Sequence, residues 1–147
     1  MSLRIVAGEF GGRRIDVPPG RQVRPTGERV REAWFSALGD RIRGAMVIDL
    51  FSGSGALGIE ALSRGAATVH FVEQDRRCFE VLRHNIDVLD ISVRTRLHRG
   101  EVFTFLSITI RIVLINLYIS IDYGYIQISV VDISQFRGNC THLIITT

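Results

Sequence analysis

Apolar and polar positions change rhythm repeatedly along this chain, and the rhythm predicts its elements. Met46–Leu50 is a short apolar run of the kind that forms a buried strand. It is followed by a predicted helix over Ala56–Arg64, a strand over Thr68–Val72, and a helix over Arg76–Leu89 with Asp75 as its N-cap. A strand over Val93–Leu97 and a short helix over Val102–Leu106 complete this stretch. Such alternation implies right-handed βαβ crossovers and a parallel sheet with helices on both faces.

Ahead of this core, Arg4–Ala7 and Arg13–Val17 flank Gly8-Glu-Phe-Gly-Gly12, which reads as a β-hairpin closed by Pro18-Pro-Gly20. A helix follows, with Thr26 as N-cap, Glu28 in the first turn and Gly39 as its stop. Val30, Ala33, Trp34, Ala37 and Leu38 form its expected buried stripe. Arg29 and Arg31 lie off that stripe, free to face a ligand or solvent. Beyond residue 106, Ile108–Ile121 and Tyr125–Ile133 carry the β-branched, alternating character of strands.

The candidate chemistry gathers where the first parallel strand meets its helix, in Asp49-Leu-Phe-Ser-Gly-Ser-Gly-Ala-Leu-Gly58. Gly53 and Gly55 suit a tight turn with bare backbone, flanked by Ser52 and Ser54. Gly58 lets the helix lie close to its strand. Free N–H groups at the helix start would face a nucleotide-type ligand. Gly53-x-Gly55-x-x-Gly58 also satisfies the dinucleotide fingerprint, which leaves an NAD-dependent oxidoreductase open. Asp49 argues against it, because a carboxylate there would oppose a pyrophosphate. S-adenosylmethionine (SAM) instead offers an ammonium and a sulfonium. A second acid, Glu73, ends the next strand, where a carboxylate accepts ribose hydroxyls. Glu101 follows the third parallel strand and would either accept from an adenine amino group or cap the helix it precedes.

Charge and composition sharpen the picture only in part. Residues 1–43 hold nine Arg against five acids, whereas residues 44–147 hold nine Arg against ten acids. The first segment, with Arg4, Arg13, Arg14, Arg24 and Arg29, is a candidate grip for nucleic-acid phosphates, and Phe10 a candidate stacking ring. A solvated edge strand is the plainer alternative. All basic residues are Arg, which favours phosphate contacts, though a biased genome would give the same count. The two cysteines form no CxxC pair and the four His show no metal spacing, so a reducing cytosol and no metal are expected. No apolar run is long enough for a membrane span. Residues 107–147 hold eleven Ile and two Arg, against seven Ile and sixteen Arg before them. That break marks either a β-rich end of the sheet or sequence foreign to the rest, and the second is favoured.

Residues 3–106 resemble the RsmD family, bacterial methyltransferases that modify N2 of a guanine in 16S ribosomal RNA. The resemblance rests on Gly8-x-x-Gly-Gly-Arg13, Arg24-Pro-Thr-x-x-Arg-Val-Arg-Glu32, the stretch from Asp49 to Gly65 and Val72-Glu-Gln-Asp75. It implies an α/β fold, a Rossmann-like SAM-dependent methyltransferase sheet with an N-terminal β-hairpin arm. The arm would span 1–24 and the methyltransferase domain 25–147. It also implies SAM as cofactor, with Asp49 and the glycine loop at its methionine end, Glu73 at the ribose and Glu101 near the adenine. Ribosomal RNA or the small ribosomal subunit is the implied partner. The family carries Asp/Asn-Pro-Pro-Tyr/Phe after its fourth strand, to hold and stack the target base. Here that strand reads Ile112-Val-Leu-Ile-Asn-Leu-Tyr118, where Asn116 and Tyr118 echo the motif but both prolines are missing and the spacing is one residue short. A non-catalytic module binding SAM and RNA is therefore the alternative to an active enzyme.

Overall fold

Strand β3 (Met46–Leu50) has four of its five residues buried, because it lies inside the sheet with a parallel neighbour on each side. The computed structural model describes residues 2–19 and 27–106, together with the backbone of 129–131 and 142–146. On one side of β3 lies β4 (Thr68–Glu73), with Asp49 opposite Phe71, and beyond it β5 (Thr95–Arg99), with Arg99 opposite Glu73. On the other side lies β7 (His142–Thr146), parallel to β3, and then β6 (Ser129–Val131), antiparallel to β7. The order β5-β4-β3-β7-β6 is that of an open Rossmann-like α/β sheet, as the alternating pattern implies. β6 falls inside the strand expected over 125–133, whereas the strand expected over 108–121 lies outside the described residues.

The helices sit close to the sheet for a reason readable atom by atom. Helix α2 (Ala56–Ser63) presents Gly58 to β4, where a Cβ would stand 2.3 Å from Phe71 Cε1. Helix α3 (Arg76–Leu89) is capped by Asp75, whose carboxylate accepts from the N–H groups of Arg77 and Cys78 at 3.0 Å. It buries Cys78, Leu82, Asn85, Ile86 and Leu89. The fifth strand begins two residues later than the sequence pattern suggests. Ser92–Arg94 form a 3-10 turn held by Arg94 N–H donating to Ile91 O, which leaves Val93 82% exposed. Ile91, not Val93, supplies the buried anchor there.

Helix α1 (Glu28–Leu38) corrects the expected stripe. Arg31, Phe35 and Leu38 are buried and Trp34 is half-buried, while Val30 and Ala37 are exposed. Its N-cap is Gly27 rather than Thr26, with no side-chain bond. The helix is rotated because Arg31 reaches inward and donates to Arg4 O at 2.6 Å. Arg31 is thus not free for ligand or solvent.

The N-terminal hairpin, β1 (Ser2–Arg4) and β2 (Arg14–Asp16), is docked rather than projecting. Ile5, Phe10 and Ile15 belong to the same apolar core as Leu57, Leu62 and Ile86. Glu60 of α2, fully buried, accepts from Val6 N–H at 2.8 Å and Ala7 N–H at 3.1 Å, and pairs with Arg64 Nε at 2.8 Å. Ser63 Oγ accepts from Phe10 N–H at 2.9 Å and donates to Ala7 O. Phe10 is accordingly buried, with the Arg94 guanidinium 5.5 Å from its ring centroid. It is not the base-stacking ring that the sequence suggested.

Two glycines of the hairpin loop give a paired test. Both Gly8 and Gly12 hold φ near +85°, at +86° and +85°, but a Cβ on Gly8 would lie 1.9 Å from Ser63 O, whereas one on Gly12 meets nothing within 4 Å. In urea unfolding, Gly12→Ala is expected to cost about 1–2 kcal/mol, the left-handed penalty alone. Gly8→Ala should cost roughly 2–5 kcal/mol by adding steric overlap. Equal losses would contradict the docking.

Candidate functional site

The carboxyl ends of β3, β4 and β5 share one edge of the sheet, and the candidate residues gather there. The chain leaves β3 through three left-handed residues in five: Phe51 (φ 58°), Gly53 (56°) and Gly55 (83°). Gly55 N–H donates to Ser52 O at 2.7 Å and closes the turn. Gly55 must be glycine twice over, since a Cβ would also stand 2.4 Å from Leu82 Cδ1. Its bareness serves packing on α3 as well as the turn. Phe51 is 42% exposed in a conformation unusual for its type. Nothing in the residue pattern announces that.

Asp49 stands beneath this loop, fully buried. Its Oδ2 accepts from Gly58 N–H at 2.9 Å, so the carboxyl group caps the first turn of α2, which has no cap from Gly55. Its Oδ1 is buried and has no hydrogen-bond partner among the described residues. Desolvation pushes the Asp49 pKa up to about 7, opposed by the Gly58 N–H and assisted by the nearby Glu73 charge. An orphaned, half-satisfied carboxyl is a fit for a cationic group, which would supply the missing donor or charge.

Glu73 joins the loops of this edge. Its Oε2 accepts from Gly53 N–H and its Oε1 from Asp75 N–H, both at 2.8 Å, while its backbone carbonyl accepts from Gly100 N–H at 3.1 Å. Each carboxylate oxygen keeps a lone pair for a further donor such as a ribose hydroxyl. Ser52 Oγ donates to Asp49 O at 2.7 Å and accepts from Val72 N–H at 3.0 Å, which commits it to holding β3 and β4 together. Ser54 is buried and engages through its carbonyl. Glu101 Oε2 accepts from Thr104 N–H at 3.1 Å and Thr104 Oγ1 at 2.7 Å, so of the two roles open to it this structure displays the cap of helix α4 (102–106).

One member of the site went unseen in the sequence. Asn85, buried on α3, donates through Nδ2 to Ser54 O at 2.9 Å and Asp16 O at 3.0 Å, and its Oδ1 accepts from Asp16 N–H at 2.8 Å. It thereby ties the hairpin to the glycine loop. Its only trace in the sequence is a polar residue on the apolar face of α3.

The arm arginines divide by what they touch. Arg4 pairs with Glu28 at 3.1 Å on the surface, and Arg14 donates to Ser2 Oγ at 3.0 Å. Arg13 donates to Val88 O at 3.0 Å, in the last turn of α3 and away from the strand carboxyl ends. Arg29 is exposed, and Arg24 lies outside the described residues. Among the described residues no group of three or more His, Cys, Asp and Glu could hold a metal ion, and no helix is long and apolar enough to cross a membrane.

Known proteins are similar to this chain in sequence and in fold. A model of the family described as conserved hypothetical protein 95 matches residues 3–113. Ribosomal RNA small subunit methyltransferase D of Escherichia coli K12 is 45% identical over 87 residues, which cover 59% of this chain and 44% of that protein. A Bacillus subtilis protein with the provisional name rRNA methyltransferase YlbH is 34% identical over 99 residues, covering 67% of this chain and 54% of that protein. A solved Escherichia coli structure, provisionally named methyltransferase yhhF, superposes with a TM-score of 0.67 at 39% identity, over 73% of this chain and 57% of that one. The chain spans about half the length of the curated relatives it matches. The family match ends before Asn116 and Tyr118.

The buried acid gives a pH prediction. A folded-state pKa raised from 3.8 to about 7 means that the unfolded chain releases the Asp49 proton first as pH rises. Stability from this group is therefore complete below about pH 4 and is lost progressively up to about pH 7. At 1.36 kcal/mol per pKa unit the loss reaches at most about 4 kcal/mol. Asp49→Asn should flatten this part of the pH profile in urea melts. An unchanged slope between pH 4 and 7 would contradict the assignment.

Proposed function

The chain belongs to the conserved hypothetical protein 95 family, the RsmD methyltransferases, and from that premise we propose that it binds SAM and serves N-methylation of a guanine in small-subunit ribosomal RNA. The carrying observation is Asp49, a buried carboxyl with one unpartnered oxygen beside a glycine turn. A dinucleotide would bring a pyrophosphate toward that acid, whereas SAM brings cationic groups. The names of the relatives favour methyl transfer over both an oxidoreductase and a non-catalytic module.

The residues divide the work. Asp49, with Gly53, Ser54 and Gly55, holds the methionine end, and ionisation of Asp49 answers the ligand's positive charge. Ser52 fixes the loop to β4 from behind. Glu73 takes the ribose hydroxyls while keeping its bonds to Gly53 and Asp75, and Glu101 borders the adenine side. When bound, SAM supplies a methyl group on a sulfonium centre, and the protein's share is alignment of the exocyclic nitrogen with the methyl–sulfur bond. The guanine must be splayed from its stack to reach it. Arg4, Arg14 and Arg29 offer exposed guanidinium groups to the RNA backbone; Arg24, outside the described residues, is a further candidate, and Arg13 is released from Val88 O or left as a helix contact. Methyl transfer needs an acceptor for the target amino group and a ring to stack the base, for which Asn116 and Tyr118, outside the described residues, are the respective candidates.

Calorimetric titration tests the cofactor reading. Below about pH 7 SAM must drive a proton off Asp49, so its affinity should rise with pH, by at most tenfold per unit, and level off above it. Asp49→Ala should weaken binding at least roughly tenfold, the loss expected of one charge-assisted contact. Preferential binding of NAD, or SAM affinity indifferent to both changes, would overturn this reading. For the reaction itself, a full-length natural family member should methylate small-subunit RNA, naked or assembled, and complete inactivity would count against the substrate.

A further inference from the structure

We infer a second anion-binding surface, formed by Arg76, Arg77 and Arg99 at the carboxyl edge of the sheet, that takes RNA backbone phosphates beside the cofactor loop. This rests on the RNA-modifying role proposed above and adds residues to it that neither the resemblance nor the relatives assign.

Topology brings the three arginines to one edge of the sheet. Arg99 closes β5 directly opposite Glu73, and Gly100 N–H is bonded to Glu73 O. Arg76 and Arg77 open α3 just after Glu73 and its neighbour Asp75. All three are exposed, and none has an ion pair or side-chain hydrogen bond among the described residues. The nearby carboxylates each accept hydrogen bonds from other groups. Glu73 is buried and bonded to the N–H groups of Gly53 and Asp75, Asp75 accepts from the backbone of Arg77 and Cys78, and Glu101 holds Thr104.

Stability alone gives little reason for this placement. A helix N-terminus disfavours cations, and α3 carries two Arg and no acid in its first turn. Several other arginines have partners: Arg4 with Glu28, Arg64 with Glu60, Arg83 with Glu80, Arg94 with Glu9 and Arg13 with the end of α3. Three exposed arginines without ion pairs among the described residues, at the edge where the glycine turn lies, suit a polyanion crossing that edge. A long, flexible anion suits it better than a compact one, since the groups come from two elements, α3 and β5.

The test is the salt dependence of binding to a fluorescein-labelled RNA hairpin. Arg76→Gln/Arg77→Gln and Arg99→Gln are compared with Arg41→Gln, an exposed arginine in the 3-10 turn ahead of β3. Each lost phosphate contact should lower the slope of log K against log salt by about 0.7–0.9. The double variant should therefore lose about 1.4–1.8 and Arg99→Gln about half of that, with SAM affinity and melting temperature unchanged. Arg41→Gln should leave the slope as it was. Wild-type slopes in the Arg76/Arg77 and Arg99 variants, or an equal fall in Arg41→Gln, would overturn the inference while leaving the SAM site standing. A wild-type protein that binds SAM but no RNA would overturn the inference and the RNA substrate together, again without touching the cofactor site.

Discussion

The bond from Gly58 N–H to the Asp49 carboxyl group holds the site together. It fixes the end of the central strand against the start of the helix that follows, across nine residues of chain. The glycine turn between them is then free to fold back on itself through left-handed residues, because its two ends are already placed. Burial gives this bond strength and gives the second carboxyl oxygen its difficulty, since a half-satisfied acid in an apolar setting resists ionisation. One arrangement thus both builds the loop and leaves it short of a cationic partner.

From that point the structure extends outward through side chains that each join two or more segments. Glu73 connects the glycine loop to α3 and to the turn after β5. Asn85 connects the same loop to the hairpin. Glu60 and Ser63 hold the hairpin on α2, whose first turn Asp49 caps. The arm is therefore continuous with the glycine loop through the hydrogen bonds of Asn85.

Much of this was legible in the residues. The apolar runs at Met46–Leu50 and Thr68–Val72 placed two parallel strands, and Asp75 announced its helix. Gly58 announced close packing, though onto Phe71 and Val69 of the neighbouring strand. Other features depend on tertiary context that local pattern does not carry. Arg31 is buried because Arg4 O offers it a partner from another element, which no periodicity in α1 encodes. Phe10 looked like a surface ring among arginines, yet the hairpin folds onto α2 and takes it into the core. Val93 has strand propensity but sits exposed in a tight turn, while Ile91, two residues earlier, is buried. Glu101 was open between two roles, and Thr104, three residues on, gives it the cap. The acceptor half of the site, which the family carries in its Pro-Pro motif, lies beyond the segment that family and chain share.

The central claim is that burial keeps Asp49 about half protonated at neutrality and that the group ionises when SAM arrives. Titration of the Asp49 carboxyl carbon by 13C nuclear magnetic resonance, with and without saturating SAM, measures this directly. The free protein should titrate at about 7, and the complex well below that value, as an adjacent cation favours the carboxylate. An ordinary carboxylate pKa in both states, unmoved by SAM, would contradict the account.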